Sequence, residues 1–197
     1  LGPGKMRSFV KVQEGCDAFC TYCIIPYGRG PSRSLSDEAV VERIQSLVER
    51  GGKEVVLTGT NLGDYGPEAS RGPQALVTLL KRIFSETKIE RLRLTSLDPT
   101  EITSELLSLM ATESRLCPHL HVSLQSIRSS VLKRMKRKYT AEKAEACLLQ
   151  IARTPTARPI FVGMDLIAGF PGESEEDFEK TMEMLSALPW SRLHVFP

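Results

Sequence analysis

Hydrophobic and polar positions follow two alternating patterns along the chain. Short runs rich in β-branched residues predict strands, and the segments between them carry apolar residues at helical spacing. We predict strands at 8–13, 54–59, 91–96, 119–124, 160–168 and 192–196. We predict helices at about 36–50, 73–84, 104–112, 129–135, 141–152 and 174–188. These six β–α repeats with short loops favour an α/β fold of parallel strands covered by helices.

The ends of three predicted helices carry recognisable signals. Gly51 and Gly52 end the first helix, Pro73 opens the second, and Ser174 with Asp177 resembles a capping box. In parallel α/β folds, ligands bind at the carboxyl ends of the strands. The loops that directly follow each strand are therefore where we expect functional residues.

Composition narrows the class of protein. The chain has 197 residues, of which 41% are hydrophobic and 25% charged, as in one soluble globular domain. The net charge of +2 does not indicate a nucleic-acid binder at the level of the whole chain, and DNA is not an expected partner. No apolar run is long enough to span a membrane, and the first seven residues hold no apolar signal stretch.

Three of the five cysteines, Cys16, Cys20 and Cys23, crowd into one C-x3-C-x2-C stretch directly after the first predicted strand. An odd, clustered count is unlike a secreted disulfide framework and indicates metal binding in a reducing cytoplasm. Ordinary electron-transfer clusters have four cysteine ligands. Three thiolates on a tight loop therefore predict a [4Fe–4S] cluster with one iron left open to a further ligand.

A zinc- or iron-binding module without enzymatic activity is the main alternative at this point. Zinc would need a fourth ligand, and the chain's histidines, His119, His121 and His194, lie far from the cysteines at no zinc-finger spacing. Cys117 and Cys147 have no metal-binding neighbours in sequence, and we expect them to be buried small hydrophobic residues.

The cysteine spacing, with Tyr22 before the last cysteine, resembles the signature of the radical S-adenosylmethionine family. The resemblance implies that the open iron chelates the amino and carboxylate groups of S-adenosylmethionine. It also implies that an electron from a reducing donor cleaves this cofactor to methionine and a 5′-deoxyadenosyl radical. The fold it implies is a partial (β/α)6 barrel of parallel strands with outer helices.

Further motifs resemble the methylthiotransferase branch of that family. They are FVKVQEG before the cysteines, then IIPYGRGPSRS, LTGTNLGDYG, LQ, LKRMKR and DLIAGFPGE. Within the branch, the chain is most similar to bacterial tRNA enzymes that 2-methylthiolate N6-threonylcarbamoyladenosine next to the anticodon. Sister enzymes acting on isopentenyladenosine tRNA or a ribosomal protein, and other radical S-adenosylmethionine enzymes, remain alternatives. The segment 126–130 departs from the small glycine- or aspartate-bearing turn usual in the family.

The resemblance assigns roles to residues of this chain, with Cys16, Cys20 and Cys23 as the cluster ligands. The cofactor-binding residues it implies are Tyr22, Thr58, Gly59, Asn61, Ser96, Ser123, Gln125, Ile167, Gly169 and Val195, with Asp98, Asp165, Glu173 and Phe196 beside them. Gly59 is expected to let the backbone approach a ligand. Lys136 and Arg137 belong to a basic run, 133–138, that follows the fourth predicted strand. We expect this run either to contact tRNA phosphates or to be a solvated helix face. Arg29 and Arg33 lie beside the cysteines in sequence and are expected to neutralise the charge of the cluster or to contact the substrate.

The resemblance also implies partners and missing domains. Family members carry an N-terminal domain with three more cysteines for an auxiliary cluster, and a C-terminal RNA-binding domain. Only Cys117 and Cys147 remain here, too few for a second cluster. We therefore expect residues 1–197 to be the radical S-adenosylmethionine core alone. Sulfur insertion into tRNA would then belong to the full-length protein.

Overall fold

The computed structural model describes residues 7–197. The expectation that the chain begins without a signal stretch concerns residues 1–6, which lie outside that range, and Arg7. The strands are β1 Arg7–Lys11, β2 Gln13–Glu14, β3 Arg33–Ser34, β4 Glu54–Thr58, β5 Arg91–Leu94, β6 Ser96–Leu97, β7 His119–Gln125, β8 Phe161–Ile167 and β9 Arg192–Phe196. The helices are α1 Ile25–Arg29, α2 Asp37–Glu49, α3 Pro73–Glu86, α4 Ser104–Thr112, α5 Ser129–Arg134, α6 Ala141–Arg153 and α7 Glu175–Ala187.

The long strands pair in parallel and in chain order. One sheet runs β1-β4-β5 and another runs β6-β7-β8-β9. A parallel bridge between Leu92 and Leu116 and the Cys117 N–H bond to Leu92 O (2.8 Å) join the two sheets. The third predicted strand is thus divided into β5 and β6, and the α/β fold is confirmed. Within residues 7–197, the sixth repeat consists of β9 alone.

Side chains of the strands alternate between two environments. In β7, Leu120, Val122 and Leu124 are fully buried, while His119 and His121 on the other face are only half-buried. The buried set joins the hydrophobic core beneath the helices. The other set faces the inside of the partial barrel, where polar side chains stay available for ligands.

The helices complete the core from outside. On α3, Leu76, Leu79, Leu80 and Ile83 are fully buried, and each such side chain stabilises the fold by roughly 1.5–3 kcal/mol. Gly51 ends α2 with a φ of 84°, as its position in the sequence predicts. Within the described range, no helix is both long and apolar enough to cross a lipid bilayer.

The structure also contains elements that the periodicity did not predict. Helix α1 begins with Pro26 in its first turn, and β2 and β3 pair antiparallel through Gln13–Ser34 and Glu14–Arg33. Both are too short to show a period. Together they enclose the segment that carries Cys16, Cys20 and Cys23.

Candidate cluster and cofactor site

The cysteine segment is held in a tight turn from its first residue. Gly15 has a φ of 78°, and a Cβ atom there would lie 2.0 Å from Pro31 O. The Cys16 N–H donates to Gly30 O (3.1 Å), and the Cys23 N–H donates to Cys20 O (3.0 Å). Only glycine fits this backbone, so Gly15 fixes where the three thiols begin.

Gln13 joins the cysteine segment to the loop after β4. Its Nε2 donates to Gly15 O (2.8 Å) and to Ser32 Oγ (3.0 Å), and its Oε1 accepts the Asn61 N–H (2.9 Å). A Cβ atom on Gly59 would lie 2.8 Å from Gln13 Oε1. The missing side chain at Gly59 therefore leaves room for Gln13, and the expected approach of a ligand to the Gly59 backbone stays a prediction. Gln13 belongs to the motif FVKVQEG, but the sequence did not indicate that it joins these two loops.

Helix α5 holds the cysteine segment from the other side. The Thr21 N–H donates to Met135 O (3.2 Å), and Thr21 Oγ1 donates to Arg134 O (3.0 Å). These bonds satisfy carbonyls at the end of the helix, which have no partner within it. Lys136 then takes a left-handed φ of 57°, with the Arg137 N–H bonded to Leu132 O (2.9 Å). This turn sends Arg137 back toward the cysteines.

Arg137 brings a positive charge into contact with one of the three thiols. Its Nη1 lies 3.3 Å from Cys20 Sγ and 3.4 Å from Tyr22 Oη, and its Nη2 forms an ion pair with Asp98. The side chain is only 7% exposed. This placement does not fit the expected contact with an RNA phosphate on a solvated face, because the guanidinium is buried and its donors face inward.

The donor set fits an iron–sulfur cluster. All three thiols are free, and Cys16 Sγ accepts the Ala18 N–H (3.4 Å), a contact of the kind that surrounds cluster sulfurs. Burial raises the pKa of the Cys16 thiol, so a bound metal must hold it as thiolate. A single zinc ion keeps sulfur ligands about 2.3 Å away, hence within about 4.6 Å of one another. Within residues 7–197, the one group of three with its ligand atoms all within 4.8 Å of one another is His121, Asp165 and His194. The three cysteine sulfurs do not form such a group, so their spacing does not match a single zinc ion.

An open cavity of about 860 Å³ lies beside the cysteine segment, at the carboxyl ends of β7, β8 and β9. Tyr22 and Phe170 meet edge to face across it, with ring centroids 6.3 Å apart. Its lining residues are Thr21, Tyr22, Gln125, Arg134, Asp165, Ile167, Ala168, Gly169, Phe170, Pro171, Phe196 and Pro197. The cavity is thus mainly apolar, with a few polar groups at its edges, as expected for a flat organic ligand.

Two backbone features shape the cavity. Gly169 has a φ of 72°, and the Glu173 carboxylate accepts the N–H groups of Gly169 (2.7 Å) and Phe170 (3.0 Å). Gln125 ends β7 with a left-handed φ of 57°, uncommon for a residue with a side chain and frequent at functional sites. Both features turn the chain where the strands end.

The family model for the Radical SAM superfamily matches residues 10–185. The chain belongs to the Radical SAM superfamily. It is 45% identical over 193 residues to the threonylcarbamoyladenosine tRNA methylthiotransferase MtaB of Aquifex aeolicus, covering 98% of this chain and 46% of that protein. The MtaB protein of Chlamydia pneumoniae is 41% identical, with 98% of this chain and 45% of the relative covered. These relatives confirm the resemblance to methylthiotransferases.

A relative with another stated substrate also matches. The tRNA-2-methylthio-N(6)-dimethylallyladenosine synthase of Lawsonia intracellularis is 39% identical over 188 residues, covering 93% of this chain and 40% of the relative. The chain spans about half the length of the curated relatives it matches.

Solved structures of superfamily members share the fold. The radical S-adenosylmethionine methyltransferase TsrM of Kitasatospora setae has a TM-score of 0.75 at 19% identity, covering 96% of this chain and 35% of that one. Coproporphyrinogen III oxidase HemN of Escherichia coli has a TM-score of 0.63 at 20% identity, covering 96% of this chain and 43% of that one. The partial barrel expected from the sequence is confirmed.

Within this radical SAM fold, the predicted cofactor residues divide into two groups. Tyr22, Gln125, Ile167 and Gly169 line the cavity, as do Asp165 and Phe196. Five others lie outside its lining: Thr58 ends β4, Gly59 and Asn61 follow it, Ser96 begins β6 and Ser123 lies within β7. Val195 is 55% exposed on the face of β9 opposite Phe196, because neighbouring strand side chains alternate, and it does not line the cavity.

The carboxylate of Asp165 contacts two histidines, and the sequence pattern gave no sign that these three residues meet. His121 Nε2 lies 2.9 Å from Asp165 Oδ1, and His194 Nδ1 lies 3.4 Å from the same oxygen. The three residues come from β7, β8 and β9, so no local pattern could have joined them. Asp165 is therefore both a satisfied carboxylate and a cavity residue, the two roles the sequence left open.

The predicted RNA contacts other than Arg137 are exposed. Arg33 Nη1 donates to Arg29 O (2.9 Å), and Arg33 Nη2 lies 3.2 Å from Glu14 Oε2. In the basic run, the exposed members are Lys133, Arg134, Lys136 and Lys138. The unusual segment 126–130 is tied to α7, since Asp177 accepts bonds from Arg128 Nε (3.2 Å) and Ser130 Oγ (3.0 Å).

Proposed function

We propose that this chain is the cofactor-binding core of a tRNA methylthiotransferase. Cys16, Cys20 and Cys23 hold one [4Fe–4S] cluster, and S-adenosylmethionine occupies the cavity beside them. One observation carries the proposal: three free thiols lie on a segment that Gly15 holds in a tight turn, and this segment borders the cavity. When bound, the cluster with its open iron supplies the electron for reductive cleavage of S-adenosylmethionine.

The residues of the chain bind and orient the cofactor. Tyr22, Phe170 and Ile167 offer apolar and aromatic surface to a planar adenine ring. Asp165, held by His121 and His194, presents its second carboxylate oxygen as an acceptor for ribose hydroxyls. Catalysis of this kind depends on binding, orientation and exclusion of competing reactions by the protein.

The substrate in the proposal is N6-threonylcarbamoyladenosine of tRNA, which the full-length protein 2-methylthiolates with the help of an auxiliary cluster. The support is identity of 45% across 98% of this chain with a relative of that name. Arg134 lines the cavity, and it belongs with Lys133, Lys136 and Lys138 to a run of exposed cations that suits contact with RNA phosphates. Dimethylallyladenosine is the second candidate, since the Lawsonia relative named for it is 39% identical.

Cofactor cleavage tests the first part of the proposal. The chain is reconstituted anaerobically with iron and sulfide, reduced with dithionite and given S-adenosylmethionine. We expect 5′-deoxyadenosine and methionine in the wild type and none in Cys20→Ala, while Cys117→Ala stays active because Cys117 is buried apart from the site. Equal cleavage by Cys20→Ala would overturn the assignment of the ligands.

Nucleoside mass spectrometry of tRNA tests the substrate. We expect a strain lacking the full-length gene to lose the methylthio form of N6-threonylcarbamoyladenosine and to keep that of dimethylallyladenosine. The opposite pattern would assign the protein to the dimethylallyladenosine sister. Unchanged levels of both would reject a tRNA substrate.

A further inference from the structure

Arg137 is buried although both of its neighbours in the chain, Lys136 and Lys138, are exposed. A buried charge is unfavourable unless its surroundings compensate for it. Here the compensation is extensive, and one contact is to a cysteine of the proposed cluster. Within the basic run, Arg137 therefore has a different role from its exposed neighbours.

The guanidinium is fixed on all sides. One arm, Nη1, points to Cys20 Sγ (3.3 Å), and the other, Nη2, pairs with Asp98 and lies 3.3 Å from Ser123 O. Nε lies 3.3 Å from Tyr139 Oη, and the group lies 5.0 Å from the centroid of that ring. With its donors engaged, the charge stays beside Cys20 and cannot turn to solvent.

We propose that Arg137 is a positioning residue that raises the reduction potential of the cluster held by Cys16, Cys20 and Cys23. The proposal rests on the function proposed above. One electron from an external low-potential reductant takes the cluster from its 2+ to its 1+ state, which adds negative charge to an already anionic thiolate site. A fixed cation with an N–H···S contact stabilises the reduced state more than the oxidised state.

The negative charge of Asp98 opposes the effect of Arg137 on the cluster. It pairs with the arm of Arg137 that faces away from Cys20, so it offsets part of the positive charge without touching the sulfur. Removing the charge of Arg137 and removing that of Asp98 should therefore shift the potential in opposite directions. A purely structural role predicts no such reversal of sign.

The test is an anaerobic redox titration, monitored by electron paramagnetic resonance, of the reconstituted 197-residue chain. For Arg137→Gln we expect about a tenfold less favourable reduction equilibrium, which is a shift of about 59 mV to more negative potential for one electron. Arg137→Lys should shift less in the same direction, because the charge remains but the forked contact to Cys20 is lost. Asp98→Asn should shift the potential to more positive values.

Arg115→Gln is the matched control. Arg115 is also a partly buried arginine, paired with Glu113 (2.7 Å) and lying 4.8 Å from the ring of Phe84, but its contacts are all outside the cysteine loop. We expect the reduction potential of the cluster in Arg115→Gln to equal that in the wild type. An unchanged potential in Arg137→Gln, or shifts of the same sign in Arg137→Gln and Asp98→Asn, would overturn the inference.

The outcomes separate the two proposals. If the wild type takes up no cluster, the proposed function fails. If the wild type binds the cluster and Arg137→Gln does not, the reduction potentials of Arg137→Lys and Asp98→Asn test the inference instead. A potential for Asp98→Asn equal to that of the wild type overturns the inference while the proposed function stands.

Discussion

At the scale of single residues, the site depends on a position where the backbone geometry admits only glycine. Gly15 combines a φ of 78° with a carbonyl, Pro31 O, where its Cβ would lie. Gly28 in α1 has no atom within 4 Å of its Cβ position and no positive φ. The two glycines lie on either side of the cysteines, but only Gly15 is required by geometry.

Replacing Gly15 by alanine should therefore damage both fold and site. A non-glycine residue in the left-handed region costs about 1–3 kcal/mol, and the contact with Pro31 adds to it. We expect Gly15→Ala to lower the free energy of unfolding in urea by at least that amount and to reduce iron uptake on reconstitution. Gly28→Ala should match the wild type, and equal behaviour of the two variants would contradict the account.

Glu101 should make stability depend on pH. Burial and the neighbouring Asp98 charge raise its pKa from 4.5 to about 7 in the folded chain. The folded state therefore binds the proton more tightly than the unfolded state. This contribution to stability is full below pH 4.5 and is lost as the pH rises through about 7.

Glu101→Gln removes that titration, so the wild type should lose stability relative to the variant between pH 4.5 and a pH above 7. Urea unfolding of both proteins across this range gives the comparison. Parallel stability curves would show that Glu101 titrates alike in the folded and unfolded chains.

The sequence did not indicate the contact of Arg137 with Cys20 or the His121–Asp165 pair, and the reason is physical. Arg137 belongs to a basic run that, by composition, is a solvated face. Its burial comes from the left-handed turn at Lys136 and from Asp98, which lies far away in the chain. His121 and Asp165 meet only because β7 and β8 are adjacent. The cysteine motif could be recognised from the sequence because its three residues lie within eight positions of one another.

At the scale of elements, α5 and α7 meet around one carboxylate. Asp177, in the first turn of α7, accepts bonds from Arg128 and Ser130 at the start of α5 and lies 3.7 Å from Arg134 at its end. Because α5 in turn bonds Thr21, this carboxylate supports the cysteine segment indirectly. Ion pairs at this level of exposure are worth about 0–1 kcal/mol, so their main effect is on local order.

Asp177→Asn should loosen α5 without unfolding the chain. We expect hydrogen–deuterium exchange to become faster in residues 128–137 and in the cysteine segment, with at most about 1 kcal/mol lost in overall stability. Glu179→Gln, at an exposed position on the same helix, is the control. Exchange that stays at the wild-type rate in 128–137 would show that Asp177 does not hold α5.

Element length explains which parts of the fold could be predicted. Helix α4 was predicted with its observed bounds, and α3 to within two residues, because each shows several turns of apolar spacing. Helix α1 has five residues, and β2 and β3 have two each, so none shows a period. These short elements surround the cysteines, where local contacts rather than periodicity determine the backbone.

At the scale of the whole molecule, parallel strands in chain order bring distant segments to one edge. The cysteine segment, the end of β7, the turn after β8 and the end of β9 meet around a single cavity. The other two thiols lie elsewhere and are buried, and burial raises the pKa of Cys147 to about 12. The chain therefore offers three thiols to one cluster, as the count of cysteines predicts.

Cluster stoichiometry tests this account most directly. After anaerobic reconstitution, the wild-type chain and a Cys117→Ala/Cys147→Ala variant should each hold about four irons and four sulfides. Both should give the resonance signal of one reduced [4Fe–4S] cluster, and added S-adenosylmethionine should perturb that signal. Cys20→Ala should hold none. A wild-type chain that binds one tetrahedral zinc and no cubane, or a Cys20→Ala chain that keeps the full signal, would contradict it.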